Sequence, residues 1–290
     1  MPATMIDRCL RVFSFLALSA ALFALSGSLG YGQDAVAPLK SAPSQSLPKL
    51  PPGMAPGYLA PEALPDILSL LPPPPAPGSP GFAQDEAMRV SAQAFKGTPR
   101  WSLATSDADL QLPHAAQTFS CATNLPISKE QTPHLYTLIS RSFTDLGLST
   151  VRAKNYYQRV RPFVMHHEAT CTPGDEAKLA KNGSYPSGHS TLGWGWAFIL
   201  TELVPDNTNA ILARGRDFGE SRIVCNVHWQ SDVDAGRVVA AATVARLHAD
   251  PGFESDLAAA KDEISTVRAS GAKPDAATCA AESATLRAEP

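Results

Sequence analysis

His228 and Asp232 stand four residues apart, the spacing of one helical turn. A carboxylate so placed can accept a proton from one imidazole nitrogen, fix the tautomer and leave the other nitrogen to attack. Arg222, six positions earlier and preceded by Ser221, carries a planar fork that matches phosphate oxygens. A second cluster, Pro186-Ser187-Gly188-His189, runs straight into the apolar stretch Ser190–Val204. The start of a buried helix leaves backbone N–H groups unsatisfied at the positive end of the dipole, Gly188 lets a ligand approach, and Ser187 adds a hydroxyl. A third cluster is Lys154, six residues, then Arg161-Pro162. On a continuous helix these cations share one face two turns apart, where they repel unless an anion lies between them.

Each cluster alone has a plain explanation: a structural His–Asp pair, a helix cap beside an incidental histidine, and a solvated basic face that includes Arg152 and Arg159. Together they hold what phosphoryl transfer requires: cations, a helix terminus, an oriented nucleophile and a second histidine for the proton.

The elements that must position these residues read as helices almost throughout. Ser128-Lys129-Glu130-Gln131 has the form of a capping box, followed at helical spacing by Leu135, Leu138, Ile139, Phe143 and Leu146. Ser149 or Thr150 is positioned to cap the next helix, which Pro162 should end. Ser190–Val204 is apolar nearly all round and predicts a central buried helix, with Trp194, Trp196 and Phe198 as packing. Further helices are predicted over 210–223 and 231–248, and Phe253, Leu257, Ile264 and Val267 mark a last amphipathic one. No segment alternates as a strand does, so the expected fold is an all-α bundle.

At the N-terminus, Arg8, Arg11 and the apolar run Val12–Leu25 resemble an export leader. Gly30 and Gly32 then occupy the −3 and −1 places of a cut before Gln33. The domains expected are a leader over 1–32, a Pro/Ala-rich arm over 33–57, a helical domain over 58–269, and a tail over 270–290 that stays loose unless Cys279 is bonded. Pro72–Pro75 reads as a rigid strap. Without Cys9 the chain keeps Cys121, Cys171, Cys225 and Cys279, an even number in an exported protein, with three possible pairings. Net charge is −3 in 290 residues, with no basic footprint for nucleic acid and no span of adequate length for a stable membrane anchor. His166-His167-Glu168 lacks a third ligand and reads as a polar loop, so no metal site is expected.

The pattern K-x6-RP, PSGH, SR-x5-H-x3-D resembles the signature of the type 2 phosphatidic acid phosphatase superfamily, with 23 residues between Pro162 and Pro186 and 31 between His189 and Ser221. Leu70–Pro75, Gly97-Thr98-Pro99-Arg100-Trp101, Gly183-Ser184-Tyr185-Pro186 and Cys225–Asp232 are similar to the soluble branch, the bacterial class A nonspecific acid phosphatases, from about Tyr58 to Ala269. The resemblance implies an exported acid phosphatase, periplasmic or secreted, needing no cofactor and acting on a broad range of organic phosphomonoesters. It also implies release of inorganic phosphate, transfer to alcohols in place of water, and assembly into homo-oligomers. Carried over residue by residue, it makes His228 the nucleophile, Asp232 its orienting partner and His189 the proton donor. Lys154, Arg161, Ser187, Gly188 and Arg222 then hold the phosphate. His228 must be neutral and His189 cationic, which predicts a bell-shaped pH profile; an acid optimum is a family expectation. Vanadate-dependent haloperoxidases share the pocket and stand as the alternative reaction, and a non-enzymatic exported binding module as the alternative class. The sequence shows neither C-x5-R nor R-H-G, the marks of other phosphatase chemistries.

Overall fold

A computed structural model describes residues 54–287, and every described element is helical. The leader expected over 1–32 and most of the arm lie outside the described residues. The main helices are α1 (Pro80–Ala92), α2 (Pro99–Asp107), α3 (Pro133–Ser149), α4 (Val151–Tyr157) and α5 (Pro162–His166). They are followed by α6 (Gly188–Leu203), α7 (Thr208–Val224), α8 (Gln230–Leu247), α9 (Pro251–Ser270) and α10 (Ala276–Arg287). Proline opens α1, α2, α3, α5 and α9, where its missing N–H costs nothing and its fixed φ suits the first turn. Ser79 and Asp250 add side-chain caps to α1 and α9.

Helix α6 runs through the middle and packs on α3, α7, α8 and α9. Leu192, Trp196, Ile199, Leu200 and Leu203 are buried on it, while Trp194 and Phe198 lie partly buried against the same core. Leu135, Leu138, Ile139 and Leu146 on α3 and Phe253, Leu257 and Ile264 on α9 complete that core at the spacing read from the sequence. Buried Asp145 of α3 accepts the N–H groups of Tyr58 (2.8 Å) and Leu59 (3.0 Å), which pins the chain entering the domain. The strap at Pro72–Pro75 is non-helical, and the Pro72 carbonyl accepts the Tyr185 hydroxyl at 2.8 Å.

Two local expectations are corrected. Ser128 does not start a helix: its Oγ accepts Gln131 N–H in a turn, and α3 begins at Pro133. Pro162 opens α5 instead of closing α4, which ends at Tyr157 because Gln158 turns left-handed at φ 45°. In the tail, Cys279 is joined to Cys121, the condition under which the sequence predicts it to be tied down, and Ala276–Arg287 form α10. The remaining pair, Cys171–Cys225, ties the loop after α5 to the turn that carries His228.

Helices α7 and α8 approach α6 closely through glycine. A Cβ on Gly215 would lie 2.6 Å from the Ala197 Cβ and 2.9 Å from the Gly193 carbonyl, and one on Gly236 would lie 2.6 Å from the Ser187 carbonyl. Backbone cannot rotate away as a side chain can. Gly236→Ala therefore gains up to about 1 kcal/mol of helix propensity and loses more to overpacking. We expect a net destabilisation of about 1–3 kcal/mol in chemical denaturation, and a variant as stable as the parent would contradict this packing.

Candidate active site

The residues singled out in the sequence come from four stretches of chain. Lys154 lies on α4 and Arg161 in the extended segment leading to α5. Ser187, Gly188 and His189 form the start of α6. Arg222 lies on the last turn of α7, and His228 and Asp232 at the start of α8. The spacing predicts one shared helix face for Lys154 and Arg161, and the structure differs: the helix ends at Tyr157, and they meet from either side of the break at Gln158. Both reach the Gly183 carbonyl, Lys154 Nζ at 3.0 Å and Arg161 Nη2 at 3.5 Å, and Lys154 also donates to the Ser184 carbonyl at 3.2 Å.

The proton positions on His228 follow from its partners. Nδ1 faces Asp232 Oδ2 at 3.2 Å, and Nε2 faces Arg161 Nη1 at 3.1 Å. A guanidinium only donates, so Nε2 must carry the lone pair and Nδ1 the hydrogen. The nitrogen with the free lone pair therefore points at a cation. Asp232 is buried, and its Oδ2 also accepts the Trp229 N–H at 3.0 Å, which caps α8 and holds the carboxylate under the ring.

Around Nε2 the cations lack carboxylate partners. Arg161, 3% exposed, spends its donors on carbonyls: Leu179 and Asn182 from Nε at 2.9 and 3.2 Å, and Val227 from Nη1 at 2.8 Å. Arg222, 2% exposed, has an Nε with no partner at all and a 3.5 Å contact from Nη1 to the Ala104 carbonyl. Buried guanidinium groups left in this condition are costly unless an anion completes them. Ser187 caps α6 by accepting Ser190 N–H at 3.3 Å and lies 2.9 Å from Ser190 Oγ, so its own hydroxyl hydrogen is available. The N–H groups of Gly188 and His189 have no acceptor within the helix, as at any helix start.

His189 stacks on Phe218 at 6.0 Å, and its Nε2 lies 3.2 Å from the Ala108 carbonyl. That carbonyl can only accept, so Nε2 holds the hydrogen and Nδ1 takes up the second proton when the ring charges.

Burial, then Arg161, Lys154 and Arg222, hold His228 well below the ordinary imidazole value. Burial, then Arg222, do the same for His189, partly opposed by the Ala108 carbonyl. Burial and Arg161 push Lys154 down to about 7. Burial also brings Arg161 and Arg222 to about 10. His189, expected to be cationic, is thus held neutral near neutral pH before an anion enters. Both imidazoles therefore take up a proton only at lower pH than an ordinary imidazole does, and Lys154 gains its charge as pH falls through about 7.

Some contributing residues were not found by reading the sequence. Arg159, assigned to a solvated face, donates to Ser231 Oγ (2.7 Å) and pairs with both Asp232 and Asp85 at 2.6 Å. Asp107 pairs with Arg214 at 2.5 Å and lies 2.6 Å from Ser221 Oγ, which also accepts from Arg100 at 2.9 Å. Ser221 thus serves the scaffold behind Arg222. His166 lies 2.8 Å from Glu86, and Glu168 pairs with Arg89 at 2.9 Å. Among the described residues no cluster of His, Cys, Asp and Glu is arranged to hold a metal ion, and no helix is long and apolar enough to cross a membrane. A separate cleft of about 1100 Å³ lies beneath α10, between Ser102, His114, Gln131 and Glu282. Its buried cation, Arg214, is already neutralised by Asp107, unlike Arg161 and Arg222 beside His228.

Residues 132–254 match the model of the PAP2 superfamily. The chain is 45% identical over 204 residues to a non-specific acid phosphatase of Providencia stuartii, covering 70% of this chain and 82% of that one. It is 45% identical over 221 residues to an acid phosphatase of Zymomonas mobilis, covering 75% and 82%. To a non-specific acid phosphatase of Salmonella typhimurium it is 42% identical over 195 residues, covering 67% and 78%.

Removing Arg222 tests the electrostatics. Arg222→Gln should lower kcat/KM roughly 10- to 100-fold, the loss of a charged hydrogen bond of about 1.5–3 kcal/mol. It should also move the alkaline limb of the pH profile upward, because Arg222 is the foremost cation depressing His189. A profile that falls in height without moving would contradict the assignment.

Proposed function

Because the chain belongs to the PAP2 superfamily and, within it, to the class A nonspecific acid phosphatases, we propose that it hydrolyses phosphomonoesters through a phosphohistidine on His228. The observation that carries this reading is the unprotonated Nε2 of His228, backed by Asp232 through Nδ1 and faced by Arg161.

The substrate phosphate lies among Lys154, Arg161, Arg222, the Ser187 hydroxyl and the N–H groups of Gly188 and His189. The Nε2 lone pair attacks phosphorus while the bond to the ester oxygen breaks. Nδ1–H of cationic His189 delivers its proton to that oxygen, and the alcohol leaves. The phosphorylated imidazolium keeps its Nδ1–H bond to Asp232, whose negative charge offsets the new positive one. Water then attacks phosphorus, neutral His189 takes its proton, the P–N bond breaks toward the ring, and inorganic phosphate departs. An alcohol entering in place of water receives the phosphoryl group, so phosphotransferase activity uses the same steps. The reaction asks mainly for positioning and for positive charge around the equatorial oxygens. The named relatives are acid phosphatases, which favours hydrolysis over halide oxidation.

Rapid mixing with labelled phosphate ester and acid quench should trap acid-labile label in the parent enzyme and none in His228→Ala; label retained in that variant would refute the nucleophile. In the same assay His189→Ala should label at a nearly undiminished rate from p-nitrophenyl phosphate, whose leaving group needs no proton, but about 100-fold more slowly from an alkyl phosphate. Equal losses on both esters would exclude His189 as the acid.

Export is supported by the leader-like residues 1–32 and by the two disulfides, which persist in oxidising compartments. Protein recovered from the periplasm or medium should begin at Gln33; recovery of the unprocessed chain from the cytoplasm would oppose this.

A further inference from the structure

We propose that Arg159 is a positioning residue for phosphoryl transfer: it locks Asp232 against His228 and is itself locked by Asp85. The inference rests on the reading that His228 Nε2 receives the phosphoryl group, and it assigns a part to a residue at a position that the K-x6-RP motif leaves unspecified.

Gln158 ends α4 in a left-handed turn, and the chain from Arg159 to Arg161 is released from the helix. The three residues divide their work. Arg159 and Arg161 point inward, 8% and 3% exposed, while Val160 is 47% exposed and offers its carbonyl to Trp229 Nε1 at 2.8 Å. Arg161 reaches the Nε2 end of the dyad at 3.1 Å, and Arg159 reaches Asp232 Oδ1 at 2.6 Å. One short segment thus grips the nucleophile and its partner from both ends.

The carboxylate of Asp232 is fully occupied. Oδ1 takes Arg159, while Oδ2 takes His228 Nδ1 at 3.2 Å and Trp229 N–H at 3.0 Å. With Oδ1 held, the group cannot rotate about its terminal bond, and Oδ2 stays aimed at Nδ1. Arg159 is fixed in turn. Nη2 meets Asp85 Oδ2 at 2.6 Å, Nη1 meets Ser231 Oγ at 2.7 Å, and the guanidinium lies 5.4 Å from the centre of the Trp229 ring. Asp85, 2% exposed and supplied by α1, also accepts Ser231 N–H at 2.8 Å and Ser231 Oγ at 2.7 Å, so it caps α8 from outside that helix. Both terminal nitrogens of Arg159 are matched to carboxylates, unlike those of Arg161 and Arg222. Its effect on the substrate therefore passes through Asp232.

The alternation imidazole, carboxylate, guanidinium, carboxylate has an electrostatic consequence. Forming the phosphohistidine places a positive charge on the ring, and Asp232 then lies between two cations, a favourable place for a buried anion. Without Arg159, Asp85 and Asp232 would be buried anions with no shared cation, and Oδ1 would be free to swing.

Three variants test this: Arg159→Met, Arg159→Lys and Asp85→Asn, each checked for a cooperative melt. Arg159→Met should lower kcat on p-nitrophenyl phosphate about 100-fold, the scale of a small misplacement of a reacting group. KM and inhibition by inorganic phosphate should stay within about twofold, since binding of the ground state is untouched. Labelling of His228 after acid quench should slow by the same factor as kcat. Arg159→Lys should recover about tenfold of the loss, because it restores the charge without the fork. A kcat within about threefold of the parent, a rise in KM with kcat unchanged, or a lysine variant no better than methionine would overturn the proposal. If Arg159→Met does not fold, Arg159→Lys and Asp85→Asn decide it by the same split between kcat and KM. A parent enzyme that shows no label on His228 would instead remove the phosphohistidine reading on which this inference stands.

Discussion

Positive charge buried without its counter-ion is the condition around which this protein is organised. Arg161 and Arg222 are nearly inaccessible, Lys154 sits beside them, and among the described residues none of the three has a carboxylate partner. Burying such groups opposes folding, since each gives up its hydration and gains only carbonyl dipoles in return. Burial accordingly drags their proton affinities down, Lys154 to about 7 and the two arginines to about 10. In the proposed mechanism the substrate phosphate supplies the missing negative charge, and its binding then relieves a cost already built into the fold. The attraction acts where water is excluded and is correspondingly strong.

The same charges act on the two histidines. Both imidazoles are held well below their ordinary range by burial and the surrounding cations. In the proposed mechanism His228 must stay unprotonated to attack, which this depression favours, whereas His189 must gain a proton before it can serve the leaving group. Lys154 gains its charge as pH falls through about 7. An acid optimum remains what the family resemblance implies.

A pocket that repels its own components needs a stiff frame, and the frame is built from the complementary arrangement: fully paired ions. Asp107 joins Arg214 and Ser221 behind Arg222, and Asp85 and Arg159 close around Asp232. The Cys171–Cys225 bridge holds the turn before His228, and Cys121–Cys279 holds α10 over α2. Close contact through Gly215 and Gly236 sets α7 and α8 against α6, so the ends of these helices reach the pocket from neighbouring positions. Unpaired cations gather at His228, and paired ones hold the structure behind them.

How much of this was legible in the chain depends on the range of the interaction. The helical pattern, the core faces of α3, α6 and α9, and the three motifs were readable because periodicity and motif spacing are local in sequence. Arg159 went unrecognised because its partner Asp85 lies 74 residues away, and a lone arginine near a helix end looks the same whether it meets solvent or a buried carboxylate. The cysteine pairing and the ordering of the tail were likewise open, since Cys121 and Cys279 are 158 residues apart. The break at Gln158 also escaped, as nothing in the composition there forbids a helix. The sequence by itself determined which chemical groups exist and which local elements carry them. Only the tertiary structure decided which cations meet carboxylates and which stay unpaired, because that depends on contacts between helices far apart along the chain.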